Sequence, residues 1–172
     1  MKKRLFTLVI FTIITVVGIA SANGIVFSSD EYGNEKNEFA PNEEVYVKGC
    51  GLTDNQEVNV YVVINEDWTD GEDIDKGGNV LFYKTVNSND IDENGPLELG
   101  TVSNDGGQYD IPYPGEYDIV YDANKDGKYD SSAGDLVDYV YCQGFQTIPE
   151  FTTIALPAAI AMLGAMFYLR RR

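Results

Sequence analysis

A hard cation such as calcium needs oxygen donors at alternate positions of a tight turn, and one stretch of the chain supplies them. In Asp122-Ala123-Asn124-Lys125-Asp126-Gly127-Lys128-Tyr129-Asp130, carboxylate or amide oxygens stand at positions 1, 3, 5 and 9, with glycine at 6. These positions match the opening of an EF-hand or dockerin calcium loop. A chain curling around a cation turns every second side chain inward, and glycine takes the bend at position 6 at little cost. Lys128, at position 7, would offer its backbone carbonyl. At position 12, where the pattern wants a bidentate acid, stands Ala133, so Asp135 is the expected substitute through a bulge, with Asp138 behind it. Calcium is therefore the expected cofactor, at about the 0.1 to 1 mM affinity of extracellular modules. The same composition also suits a plain Asp/Asn/Gly turn that holds no cation.

A second acidic stretch, Glu66 to Asp75, carries the lone tryptophan, Trp68. An exposed indole among carboxylates could stack on a sugar while the acids hold its hydroxyls, or the loop could bind a cation. The favoured expectation is structural, because tryptophan is highly buried on average and the acid spacing follows no ligand template. Enzymatic chemistry has little to work with. The chain contains no histidine, hence no common general base and no histidine-ligated zinc. Carboxylate pairs can hydrolyse glycosides, but no pair stands out by placement. We expect a non-enzymatic protein.

Charge narrows the partners. Between residues 23 and 149 six lysines face 27 acids, a net charge of −21. Such a surface repels nucleic acid and anionic lipid and suits a cation-rich medium. Eleven tyrosines, Trp68 and repeated β-branched runs in the same span are a folding composition, unlike that of a disordered acidic tail. The two cysteines, Cys50 and Cys142, read as a disulfide in an oxidising compartment. No Asn-x-Ser/Thr acceptor for N-glycosylation occurs.

The elements that must position these loops are strands. Alternating or β-branched runs cover 24–28, 44–48, 57–64, 79–86, 97–102, 116–121 and 136–141, separated by Gly, Asn, Asp and Pro clusters. About seven short strands with turns between them predict an all-β, immunoglobulin-like β-sandwich. Pro114-Gly115-Glu116-Tyr117 fits a tyrosine corner, in which the hydroxyl bonds back to upstream backbone. A Cys50–Cys142 bridge would tie the last strand to the start of the fold.

Both ends are hydrophobic. Residues 1–22 have a basic start, an apolar run from Leu5 to Ile19 and an Ala20-Ser21-Ala22 ending. That is the layout of a secretory signal cut by signal peptidase after Ala22; an uncleaved N-terminal anchor is the alternative. Residues 23–148 then form one domain. From Thr152 to Leu169 eighteen mostly apolar residues precede Arg170, Arg171 and Arg172. As a helix they reach about 27 Å, enough to cross a bilayer once, with the arginines cytoplasmic and the domain outside.

The C-terminal string Pro149-Glu150-Phe151, a Thr152-to-Pro157 lead, an Ala/Met/Leu helix and an arginine cluster closely resembles the PEF-CTERM sorting signal of archaeal surface proteins. The resemblance covers about the last 25 residues. It implies residues 149–172 as a sorting signal, processing by an archaeosortase near Pro149, Glu150 and Phe151, and replacement of the helix by a lipid anchor. If no such enzyme acts, the helix is itself the anchor and the topology is the same. Residues 47–52, 58–63 and 114–122 also look like segments of small β-domains in such proteins, from which no activity carries over. The expectation is a cell-surface protein with a structural or adhesion role, whose partners are another surface protein or a glycan; a carbohydrate-binding or glycan-acting protein using the Trp68 loop is the alternative.

Overall fold

The computed structural model describes residues 24–92, 94–138 and 144–148. The fold is all-β, and among the described residues the only helical elements are two 3-10 turns, Ser88–Asp90 and Ser131–Ala133. Twelve strands run in order: β1 Ile25–Ser29, β2 Glu38–Phe39, β3 Glu44–Cys50, β4 Glu57–Ile64, β5 Glu72–Asp73, β6 Val80–Asn87, β7 Leu97–Val102, β8 Asp110–Ile111, β9 Gly115–Asp122, β10 Lys128–Tyr129, β11 Leu136–Val137 and β12 Phe145–Thr147. All seven runs read from the sequence contain strands. The five additional elements are two or three residues long, too short to show a periodicity.

One sheet has the order β1-β3-β7-β8; the larger has β2-β12-β9-β4-β6, with β11 pairing β9. A separate two-stranded ribbon joins β5 to β10. Alternation decides which side chains meet between the two larger sheets. Val58, Val60 and Val62 of β4 and Tyr117, Ile119 and Tyr121 of β9 point the same way, into one cluster with Val26, Val45, Val47, Leu99 and Val102 of the other sheet. Each fully buried aliphatic side chain there contributes about 1.5 to 3 kcal/mol from removed apolar area. Phe39 and Phe145 close one end edge to face, with ring centroids 5.5 Å apart. Gly100 permits a close approach, since a Cβ there would lie 2.1 Å from the Tyr109 carbonyl oxygen.

The tyrosine-corner bond is present: the Tyr117 hydroxyl donates to the Pro112 carbonyl at 2.9 Å. Thr147 Oγ1 donates to the same oxygen at 2.9 Å, so one carbonyl ties β9 to the final strand. Cys50 is the last residue of β3 and is exposed. Its expected partner Cys142 lies outside the described residues. So do the expected signal segment (1–22), the Pro149-Glu150-Phe151 motif and the hydrophobic segment that follows it.

Candidate functional site

The opposite face of the larger sheet carries Tyr61 and Val63 on β4 and Val120 on β9. With Ile74 they form a second, smaller buried cluster, flanked by Trp68, Val80, Tyr129 and Val137. What covers this face is the pair of acidic loops, and they are built as one unit. β5 of the Trp68 loop pairs antiparallel with β10 of the calcium-type loop, Lys128 opposite Asp73 and Tyr129 opposite Glu72. Backbone bonds run from Gly71 N to the Tyr129 carbonyl (2.7 Å) and from Ile74 N to the Gly127 carbonyl (2.9 Å), on either side of Lys128. Ser131 N donates to Asp70 Oδ1 at 2.8 Å. Ile74, fully buried, is the apolar pin between the loops and the sheet.

The calcium-type loop starts where β9 ends. Asp122 is fully buried and turns back into the loop, Oδ1 accepting from Lys125 N at 2.6 Å and Oδ2 from Gly127 N at 3.1 Å. Asn124 Oδ1 accepts from Asp126 N, and Asp126 Oδ1 from Lys128 N, at 3.0 and 2.9 Å. Successive donor side chains are thus turned toward loop backbone at alternate positions. Lys125 and Gly127 take positive φ, 59° and 76°, the left-handed conformation that glycine adopts cheaply at the sixth position. Asp130 turns away and caps its own 3-10 turn, accepting from Ser132 N and Oγ at 2.9 and 2.7 Å; the Ser132 hydroxyl bond and then the amide bond hold its carboxyl below the usual range.

Asp135 turns back toward the loop backbone. Only 2% exposed, it accepts from Ala123 N (2.8 Å) and Asp130 N (2.7 Å). Burial first, and then the nearby charges of Asp122 and Asp126, push its carboxyl up to about 6. Asp138 sits elsewhere: its Oδ2 accepts from Ser28 N at 2.9 Å. The loop carboxylates are each engaged with backbone N–H groups, and among the described residues no group of three or more Cys, Asp or Glu side chains is gathered as a metal cluster. The donor chemistry nevertheless fits a hard cation. All donors are oxygens, and the mutual repulsion felt by Asp135 is the kind a positive charge relieves.

Trp68 folds back onto the second cluster. Its indole N–H donates to Asp118 Oδ2 at 2.9 Å, an oxygen that also accepts from Glu66 N at 3.0 Å. The Tyr129 ring meets it edge on at 5.9 Å, and the Lys76 ammonium lies 4.8 Å from the ring centroid. Lys76 in turn bridges Glu66 and Glu72 at 3.1 and 2.6 Å. Asp118, 3% exposed, is pushed up from its usual range by burial, against the Trp68 and Glu66 hydrogen bonds. Beside the indole opens a pocket of about 390 Å³ lined by both loops, with Asp67, Asp118 and Asp138 among its walls. Sequence reasoning missed Asp118 and the pairing of the loops; the one available signal was a carboxylate within an otherwise apolar strand, Tyr117 to Tyr121.

In comparison with known proteins, the chain matches no family model, no curated protein and no solved structure.

Proposed function

We propose that the chain is an exported cell-surface module, an immunoglobulin-like β-sandwich whose acidic cap is ordered by calcium, serving a structural or adhesion role in the envelope. A signal peptidase would release the N-terminus. The C-terminal helix, or a lipid installed by an archaeosortase at Pro149-Glu150-Phe151, would hold the domain at the outer face of the cytoplasmic membrane. The observation that carries the calcium reading is Asp135: a buried carboxylate returned to a loop of oxygen donors, next to Asp122 and Asp126, with its proton affinity raised. Calcium would be held by Asp122, Asn124, Asp126, the Lys128 carbonyl and Asp135, with Asp130 contributing on release from its turn. The ion supplies charge neutralisation and loop order, and the protein performs no catalysis. Two facing sheets with a shared core and the Tyr117 corner support the sandwich reading.

Calorimetric titration with calcium, read alongside Trp68 emission, tests the calcium reading. Because Trp68 rests on Tyr129, within the loop, binding is expected to give heat, a raised melting temperature and an emission change with one midpoint. No heat and no melting shift at several millimolar calcium would remove it. Mass spectrometry of the protein from its native membrane tests the anchor, by reporting both trimmed ends, any lipid and the state of the two thiols.

A second reading, carbohydrate binding, is supported by the pocket beside Trp68, which joins an aromatic wall to carboxylate acceptors. Glycan-array binding that is lost in Asp67→Ala, a lining residue exposed to solvent, would favour it.

A further inference from the structure

The surface of this domain is acidic almost everywhere, but one strand is an exception. From Lys76 to Asn89 fourteen residues pass without an Asp or Glu, the longest such run between residues 23 and 149. The run contains β6, which ends the larger sheet. Among the described residues β6 pairs with β4 alone, with a bulge at Leu81, so from Phe82 to Asn87 every second residue turns its N–H and C=O outward, unpaired. Eight residues is long for an open edge, and its burial pattern is that of an edge: Tyr83 is 54% exposed and Thr85 is exposed. Its one charge, Lys84, is already occupied. The ammonium donates to the Glu98 carbonyl at 2.8 Å and lies 4.5 Å from the Tyr109 ring centroid.

The geometry points to β6 as the contact by which a second copy of this chain adds to the sheet, antiparallel, across a two-fold axis. Two bodies of charge −21 repel wherever carboxylates face one another, and this edge lets them approach with none opposed. A two-fold axis normal to the sheet must pass a residue position, because directly opposed residues share a face. Only two such registers pair most of the regular stretch, Phe82 to Asn87. The one centred on Lys84 would set two lysine side chains against each other. The one centred on Thr85 sets Thr85 against its own copy, Lys84 against Val86 and Tyr83 against Asn87, with no like charges opposed and a threonine pair of the kind that favours sheet pairing at its centre. The contact is isologous and closed, and it is narrower than a standard interface. Association is therefore weak in dilute solution and strengthens as salt screens the two bodies.

The full chain in detergent, analysed by sedimentation equilibrium at 0.1 and 2 M NaCl, tests this. Expected is a dimer that tightens with salt, and at least a tenfold weakening in Tyr83→Glu/Thr85→Glu, which leaves both hydrophobic ends intact. Equal association of that variant, or no salt-strengthened dimer, overturns the inference. Independently of that variant's folding, oxidation of single-cysteine additions reads the register against the unmodified chain as blank. Thr85→Cys is expected to cross-link to its own copy, whereas Tyr83→Cys is displaced from its own copy by about four residues, roughly 13 Å, and is expected not to. Equal cross-linking by both, or by neither, overturns the Thr85-centred dimer.

Discussion

The two faces of the larger sheet are held in different ways. Between the sheets, Val58, Val60, Val62 and Ile119 are fully buried among apolar neighbours, and nothing there depends on charge. On the outer face Tyr61, Val63 and Val120 pack with Ile74 of the covering loops, whose shape comes from carboxylates accepting backbone N–H bonds. The first face is stabilised by area removed from water. The second relies on groups whose charge can be changed by protons or cations. A fold can therefore keep its core while its cap responds to the medium.

The largest expected contrast is between Ile119→Ala and Ile74→Ala. Ile119→Ala leaves a cavity at the centre of the shared core and is expected to lower global stability by about 3 to 4 kcal/mol, read by denaturant titration. Ile74→Ala is expected to cost about 2 kcal/mol and to act locally, raising amide exchange over residues 65–79 and 123–135 first. Equal, global effects would erase the distinction. Asp118→Ala comes next. It leaves the Trp68 indole and Glu66 amide without their acceptor, at about 1 to 3 kcal/mol, and red-shifts Trp68 emission with little change in core exchange.

Acidity tests the same contrast. Because Asp135 holds its proton up to about 6 when folded, above the usual ~3.9 of an unfolded aspartate, the folded state binds that proton more tightly. Its contribution to stability grows as pH falls from about 6 toward 4 and is lost as pH rises through 6. Without calcium, the domain is expected to melt at a higher temperature at pH 5 than at pH 7. Saturating calcium is expected to flatten or reverse that slope, and Asp135→Asn to reduce it to the part left by Asp118, whose carboxyl is also pushed up by burial. A slope unchanged by either treatment would assign it to other groups. Smaller still is Tyr117→Phe, which removes the corner hydroxyl from Pro112 and is expected to cost about 1 kcal/mol with calcium response intact. Lys128→Ala, removing the exposed 3.5 Å contact with Asp73, is expected to change stability by less than about 0.5 kcal/mol.

The inter-sheet face was the legible one. Val58-Asn59-Val60-Tyr61-Val62 alternates cleanly, and the corner at Tyr117 has a local signature that its hydrogen bond fulfils. The Asp122–Asp130 spacing marked the loop, and the missing twelfth donor directed attention to Asp135, which does return to the loop backbone. The cap as a unit could not be read the same way. Trp68 and Asp118 are 50 positions apart, and Asp70 and Ser131 are 61 apart. Their union runs through backbone amides and a two-residue ribbon, which impose no side-chain period. The two acidic loops therefore look independent along the chain.

The last strand has a mechanical consequence. β12 lies between β9 and β2, with Gln146 N bonded to the Asn37 carbonyl and Ile148 N to the Phe39 carbonyl, both at 2.9 Å. Tension applied beyond Ile148 would enter along this strand and load the flanking bonds in shear, so that they share the force instead of parting one at a time. With Phe145 wedged against Phe39 and Tyr117, these few residues form a clamp at the point where a tether would pull.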